Sequence, residues 1–276
     1  SARAVLRDVF TKQQMARVVA IMGFSIAVAP AVAPLIGATL AHHFGWRSVF
    51  IAMTVIIAVC VCLVSLLLPE SNKDINPSSF RLKLIINNYK TLFQTRLFVS
   101  NMLLSACAFS IIMVYFTISP YLFEHQLNVT VSHYAWIGSS LVMIMMITRF
   151  INIQAIKTVP VATLVRYGYQ IVLAGSVLLL ILNVSMTMQV WTVMLPTAII
   201  LSGVSFIFGN VMTLALNECG KNAGTGGALY SSVQVLIASL FSFIASRVPS
   251  DTALPMGFLF VTLAVFGLVI IRFNKR

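Results

Sequence analysis

The sequence predicts an all-α polytopic membrane protein, and three observations carry that expectation. Of its 276 residues, 59% are hydrophobic and only 9% are charged, with a mean hydropathy of +0.99. A soluble domain holds roughly 25% charged residues and 45–50% apolar ones. The apolar residues fall in continuous runs, whereas a membrane barrel would alternate lipid-facing and lumen-facing positions. The charges sit between those runs, so the net charge of +12 does not form the solvated basic face that nucleic-acid binding requires.

A spanning helix needs about 20 mostly apolar residues. Eight runs qualify: 18–40, 49–68, 97–119, 135–150, 161–182, 190–216, 226–245 and 256–271. The fourth and eighth are short and are expected to gain a turn. Basic residues orient the set. Arg3, Arg7, Lys12, Arg17, Lys73, Arg81, Lys83, Lys90, Arg96, Arg149, Lys157, Arg166, Lys221, Arg272, Lys275 and Arg276 fall on one side, against Arg47 and Arg247 on the other, out of 18 in all. The positive-inside rule puts the first side, with the 69–96 connection and the C-terminus, in the cytoplasm.

That connection starts polar and helix-breaking. Leu82, Ile85, Ile86, Tyr89, Leu92 and Phe93 then share one helical face, accompanied by Lys83, Lys90 and Arg96. This predicts a short amphipathic helix on the inner membrane surface. Three parts follow: residues 1–68 as the end of a first helix bundle, 69–96 as a central cytoplasmic loop, and 97–276 as a six-helix bundle. Six spans after a long loop match half of a transporter built from two six-helix halves. The first half would then be incomplete, with about three and a half helices expected upstream.

The side chains needed for an embedded enzyme are absent from the predicted spans. Asp8, Glu70, Asp74, Glu124, Glu218 and Asp251 all fall in connections or at helix ends. His42, His43, His125 and His133 belong to the outer side. Cys60, Cys62, Cys107 and Cys219 have no zinc-type spacing with histidine. Neither a metal nor a cofactor is expected, and no catalytic residue is assigned.

The first span holds the most informative stretch. Pro30 and Pro34 lie four apart on one face, among Gly23, Ala29, Ala33, Gly37 and Ala38. Each proline removes a backbone hydrogen bond and can bend the helix. The small residues let a neighbouring helix approach closely. This run resembles the antiporter signature of the fifth helix in major-facilitator drug:proton antiporters, with Pro30, Pro34 and Gly37 matching and alanine at 29, 33 and 38 where glycine is usual. Arg3, Arg7 and Asp8, the Gly45–Phe50 turn, Ser119 to Tyr121, Phe208 to Asn210, the 223–229 stretch and Gln234 resemble the bicyclomycin/chloramphenicol-resistance (Bcr/CflA) branch. The resemblance covers essentially the whole chain. A degenerate counterpart of the family's charged loop is expected near 149–166, without its acid.

The resemblance implies a major-facilitator fold with about eight of twelve helices present, and a multidrug efflux protein working by alternating access. It implies proton antiport, with the coupling acid on helices upstream and no cofactor beyond the proton gradient. In that family the substrate cavity draws on the seventh and tenth helices, which places Asn101, Phe109, Met113, Tyr115, Phe116, Phe206 and Asn210 in it. Gln234 joins them because a buried amide requires a partner. Arg3, Arg7 and Asp8 are expected as charges at a cytoplasmic helix end. The expected partners are a small, largely apolar substrate, protons and the lipid bilayer. A monomer in a bacterial inner membrane is expected. Export of an endogenous metabolite or siderophore, a non-transporting remnant and, least favoured, a membrane-embedded enzyme are the competing readings.

Overall fold

A computed structural model describes residues 32–67, 89–219, 223–249 and 251–274. Gly23, Pro30, Arg3, Arg7 and Asp8 lie outside the described residues. Seven helices among those described are long and apolar enough to cross a membrane. They are α1 (Arg47–Leu67), α2 (Arg96–Tyr121), α3 (Val131–Ala155), α4 (Val161–Ser185), α5 (Val190–Asn217), α6 (Ala223–Arg247) and α7 (Leu254–Phe273). Residues 32–44 are also helical, at the end of the first predicted span. The short fourth run extends at both ends, giving α3 25 residues. Consequently the loop expected over 149–166 shrinks: α3 carries on to Ala155 and α4 begins at Val161.

The chain divides into two compact units, 1–78 with 131–142, and 79–130 with 143–276. In the first, residues 32–44 meet α1 at a tight turn. Gly45 adopts φ +79°, a conformation that strains any residue with a Cβ. Its N–H donates to Ala41 O at 3.0 Å, and the Ser48 hydroxyl reaches Leu40 O at 3.0 Å. The α1 sequence is apolar all round, and none of its window is buried against the described residues. Such a helix needs lipid or other helices around it.

In the second unit α2 is the axis. It packs against α6, α5 and α7, while α4 pairs with α5 and with α7. Phe98, Ile111, Tyr169, Ile200, Ile207 and Phe260 fill the interior. Glycines set the closest approaches. A Cβ on Gly168 would meet Gly203 O at 2.8 Å, and one on Gly203 would meet Gly168 O at 2.7 Å, so α4 and α5 touch backbone to backbone. In lipid, where apolar burial provides little drive, such close van der Waals contact holds helices together. On the other side of α4, Gly267 of α7 makes room for the ring of Tyr169. The Tyr169 hydroxyl donates to Leu104 O at 2.5 Å, tying α4 to α2.

Two prolines interrupt the hydrogen-bond ladders. Pro196 in α5 has no N–H for Thr192 O, and the Asn183 amide of α4 donates to that carbonyl at 3.3 Å. Pro120 sits near the end of α2, where the helix widens into a π-turn over Leu122–Gln126. The amphipathic helix is described only over 89–94. There Leu92 is buried with Phe98, Met102, Cys219 and Tyr230, while Phe93 is exposed. This end of the segment is therefore pinned into the helix bundle by Leu92.

Candidate functional site

One face of α2 and one face of α6 enclose a groove of about 340 Å³. Phe109, Met113 and Thr117 contribute from α2 at spacings of four. Ser239, Ser242, Phe243 and Ser246 contribute from α6, with Val235 and Ala238. Residues three and four apart stack on one helical face, which explains both rows. The Thr117 and Ser242 hydroxyls lie 2.6 Å apart and join the helices. Thr117 also donates to Met113 O at 2.8 Å. Each hydroxyl can both donate and accept, so the stripe offers adjustable hydrogen bonding between apolar walls. Phe109 meets Phe208 of α5, ring centroids 6.1 Å apart.

Of the eight predicted cavity residues, only Phe109 and Met113 line this groove. The other six are separated from it by helical phase or by height. Tyr115 lies two positions past Met113, about 200° round the helix, and is buried in the bundle interior. Phe116 is 51% exposed. Phe206 places its Cβ against Gly168 of α4. Asn101 sits two turns before Phe109, donates to Leu97 O at 2.9 Å, and lines a separate cavity with Arg166 and Glu218. Gln234 donates to Ser105 Oγ at 2.7 Å inside the α2–α6 contact. Tyr230 lies beside the same serine.

Asn210 is 3% exposed and forms a reciprocal amide pair with Asn152 of α3, at 2.9 and 3.3 Å. It also donates to Phe206 O at 2.8 Å. Asn152 was missed because the sequence around it reads as part of a charged loop, whereas it lies inside α3. The serines of α6 were missed as well, although polar residues at 239, 242 and 246 of an apolar run carry a visible helical spacing.

Of the antiporter motif, Pro34 and Gly37 lie in the helical residues 32–44. No described atom outside the local helix stands within 4 Å of a Cβ placed on Gly37. The close helix approach expected there is not made by the described residues. The described acids lie outside the helix interiors: Glu124 in the π-turn, Glu218 at the end of α5 and Asp251 before α7. Among the described residues, no group of three or more metal-ligating side chains occurs.

Long apolar helices held by glycine-mediated contacts define a multi-pass α-helical membrane protein. The profile of the Major Facilitator Superfamily matches residues 1–242, and the chain belongs to that family, one of transporters rather than enzymes. It is 25% identical over 255 residues to the bicyclomycin resistance protein homolog of Haemophilus influenzae, covering 92% of this chain and 64% of that protein. It is 22% identical over 243 residues to the multidrug resistance protein MdtL of Shewanella oneidensis, covering 88% and 60%. The MdtL of Citrobacter koseri is 24% identical over 245 residues, covering 89% and 60%. The chain thus spans 60–64% of the length of these relatives.

Proposed function

We propose that this chain works in a secondary active exporter that moves small, largely apolar compounds out of the cell in exchange for protons. The groove between α2 and α6 carries the reading. Phe109, Met113 and Phe243 give it adaptable apolar walls, and Thr117, Ser239, Ser242 and Ser246 give it hydrogen-bonding groups. Such a surface accepts varied uncharged frameworks without demanding one shape. The relatives named for bicyclomycin and multidrug resistance support the same direction. Alternating access would expose the groove to each side in turn as helix bundles rock. Pro30, Pro34, Gly23 and Gly37 would shape the helix on which the bundles close, and Arg3, Arg7 and Asp8 would sit at the cytoplasmic end of the preceding one. Asn210 would hold its helix in register through Asn152.

On this proposal the protein would sit in a bacterial inner membrane, with its C-terminus in the cytoplasm and a monomer as the working unit. The basic residues support that orientation, since Arg47 and Arg247 alone of the 18 fall on the opposite side. The test is drug susceptibility and accumulation in an efflux-deficient bacterium expressing the full-length protein. Bicyclomycin and chloramphenicol are the first compounds to try. Lower accumulation that reverses when the proton gradient is collapsed supports the proposal. Unchanged accumulation of every compound tested would contradict it.

A further inference from the structure

Arg166 belongs to two adjoining cavities. One, about 250 Å³, runs into the bundle between α2, α4, α5 and α7, with Asn101, Thr163, Glu218 and Asn274 on its wall. The other, about 380 Å³, is a groove between α4 and α7 lined by Arg166, Gln170, Leu268, Ile271 and Arg272. This second groove joins two guanidinium groups, one amide and an aliphatic strip, and no acid lines it. Glu218 lines the first cavity only.

The Nε of Arg166 is buried without a hydrogen-bond partner among the described residues. Its guanidinium lies 5.9 Å from the centre of the exposed Tyr167 ring, so its contact there is a face contact. Arg272 is exposed in the last turn of α7. By contrast Arg96, close by, is engaged, donating to Phe273 O at 2.5 Å. A buried guanidinium edge calls for an acceptor. The groove runs along the α4–α7 seam from these arginines toward Leu268, a membrane-depth residue. An acceptor arriving with its own apolar chain fits both ends.

We propose that the α4–α7 groove binds an anionic phospholipid, its phosphate between Arg166 and Arg272 and an acyl chain along Leu268 and Ile271. Basic pockets between spanning helices on the cytoplasmic side take lipid headgroups by this chemistry. A planar guanidinium matches a phosphate bidentately, and Gln170 can reach the headgroup glycerol as donor or acceptor. The proposed orientation assigns the lipid to the inner leaflet.

The test titrates the full-length protein in mild detergent with dioleoylphosphatidylglycerol or dioleoylphosphatidylcholine, and counts bound lipid by native mass spectrometry. The wild type is expected to hold the anionic lipid more tightly, by roughly thirtyfold for a pair of arginines. Arg166→Gln with Arg272→Gln should abolish that preference, whereas Arg166→Lys with Arg272→Lys should keep most of it. Arg47→Gln with Arg247→Gln should leave it intact. If the double glutamine variant does not fold, Arg272→Gln alone, at an exposed position, should lower the preference roughly fivefold. Equal binding of the two lipids by the wild type would overturn the proposal. So would an undiminished preference in the glutamine variants. Displacement of the anionic lipid by inorganic phosphate would assign the groove to a free anion instead.

Discussion

Asn152 and Asn210 illustrate how a single residue acts in this protein. Neither amide can be replaced alone without leaving the other in an apolar interior. Asn152→Leu or Asn210→Leu is expected to destabilise the protein by about 0.5–2 kcal/mol, the range for hydrogen bonds between membrane helices and unpaired amides. The double variant should recover part of the loss, because it buries no orphaned amide. Thermal unfolding in detergent reads both. Gly267 makes the opposite kind of demand, for absence. A methyl there would run into the Tyr169 ring, which its hydroxyl bond to Leu104 holds in place. Gly267→Ala is therefore expected to cost about 1–3 kcal/mol, the usual range for overpacking. Cys219 lies beyond the end of α5 and is 5% exposed. Burial, followed by the neighbouring Glu218 carboxylate, pushes its thiol up from the ordinary value. The thiolate is the reacting form. Maleimide labelling of Cys219 should be slow at neutral pH and should rise only in more alkaline solution than for a free thiol. Fast labelling at neutral pH would contradict that environment.

At the scale of elements, the groove is a product of two helices in a particular rotation. Phe109, Met113 and Thr117 face Ser239, Ser242 and Ser246, and each row follows helical spacing. Cysteine placed at Ser242 or Ser246 should react with a water-soluble maleimide in the full-length protein, and transported compounds should slow the reaction. Cysteine at Val177, a 41% exposed residue of α4 outside the groove, should show no such protection. The sequence made the helices legible because long apolar runs leave few alternatives. It did not make their rotations legible. Tyr115 and Phe206 share helices with the groove or its neighbours but point elsewhere, and an apolar helix in lipid lacks the polar face that reveals inward and outward sides in a soluble protein. Likewise Gly168 and Gly203 are 35 positions apart, so nothing local marks them as partners. The serine row on α6 was the accessible signal, since three hydroxyls at helical spacing stand out from an apolar background.

For the whole molecule, charge and proline both follow the membrane. Arg47 and Arg247 each lie against an aromatic face, Arg47 at 4.6 Å from the Trp46 ring centre and Arg247 at 5.0 Å from that of Phe243. Such contacts suit a headgroup region where rings and cations share an interface. The interrupted ladder at Pro196 is repaired by Asn183 of a neighbouring helix, so α5 crosses the apolar region without an orphaned carbonyl there. The proposed alternating access requires a bundle that moves as a body around the groove. The most direct test of that account is uptake of a labelled compound into inverted membrane vesicles containing the full-length protein, driven by an imposed proton gradient. The account predicts gradient-dependent accumulation that falls several-fold when Phe109 and Met113 are replaced by alanine. Accumulation that ignores the gradient, or survives those replacements undiminished, would contradict it.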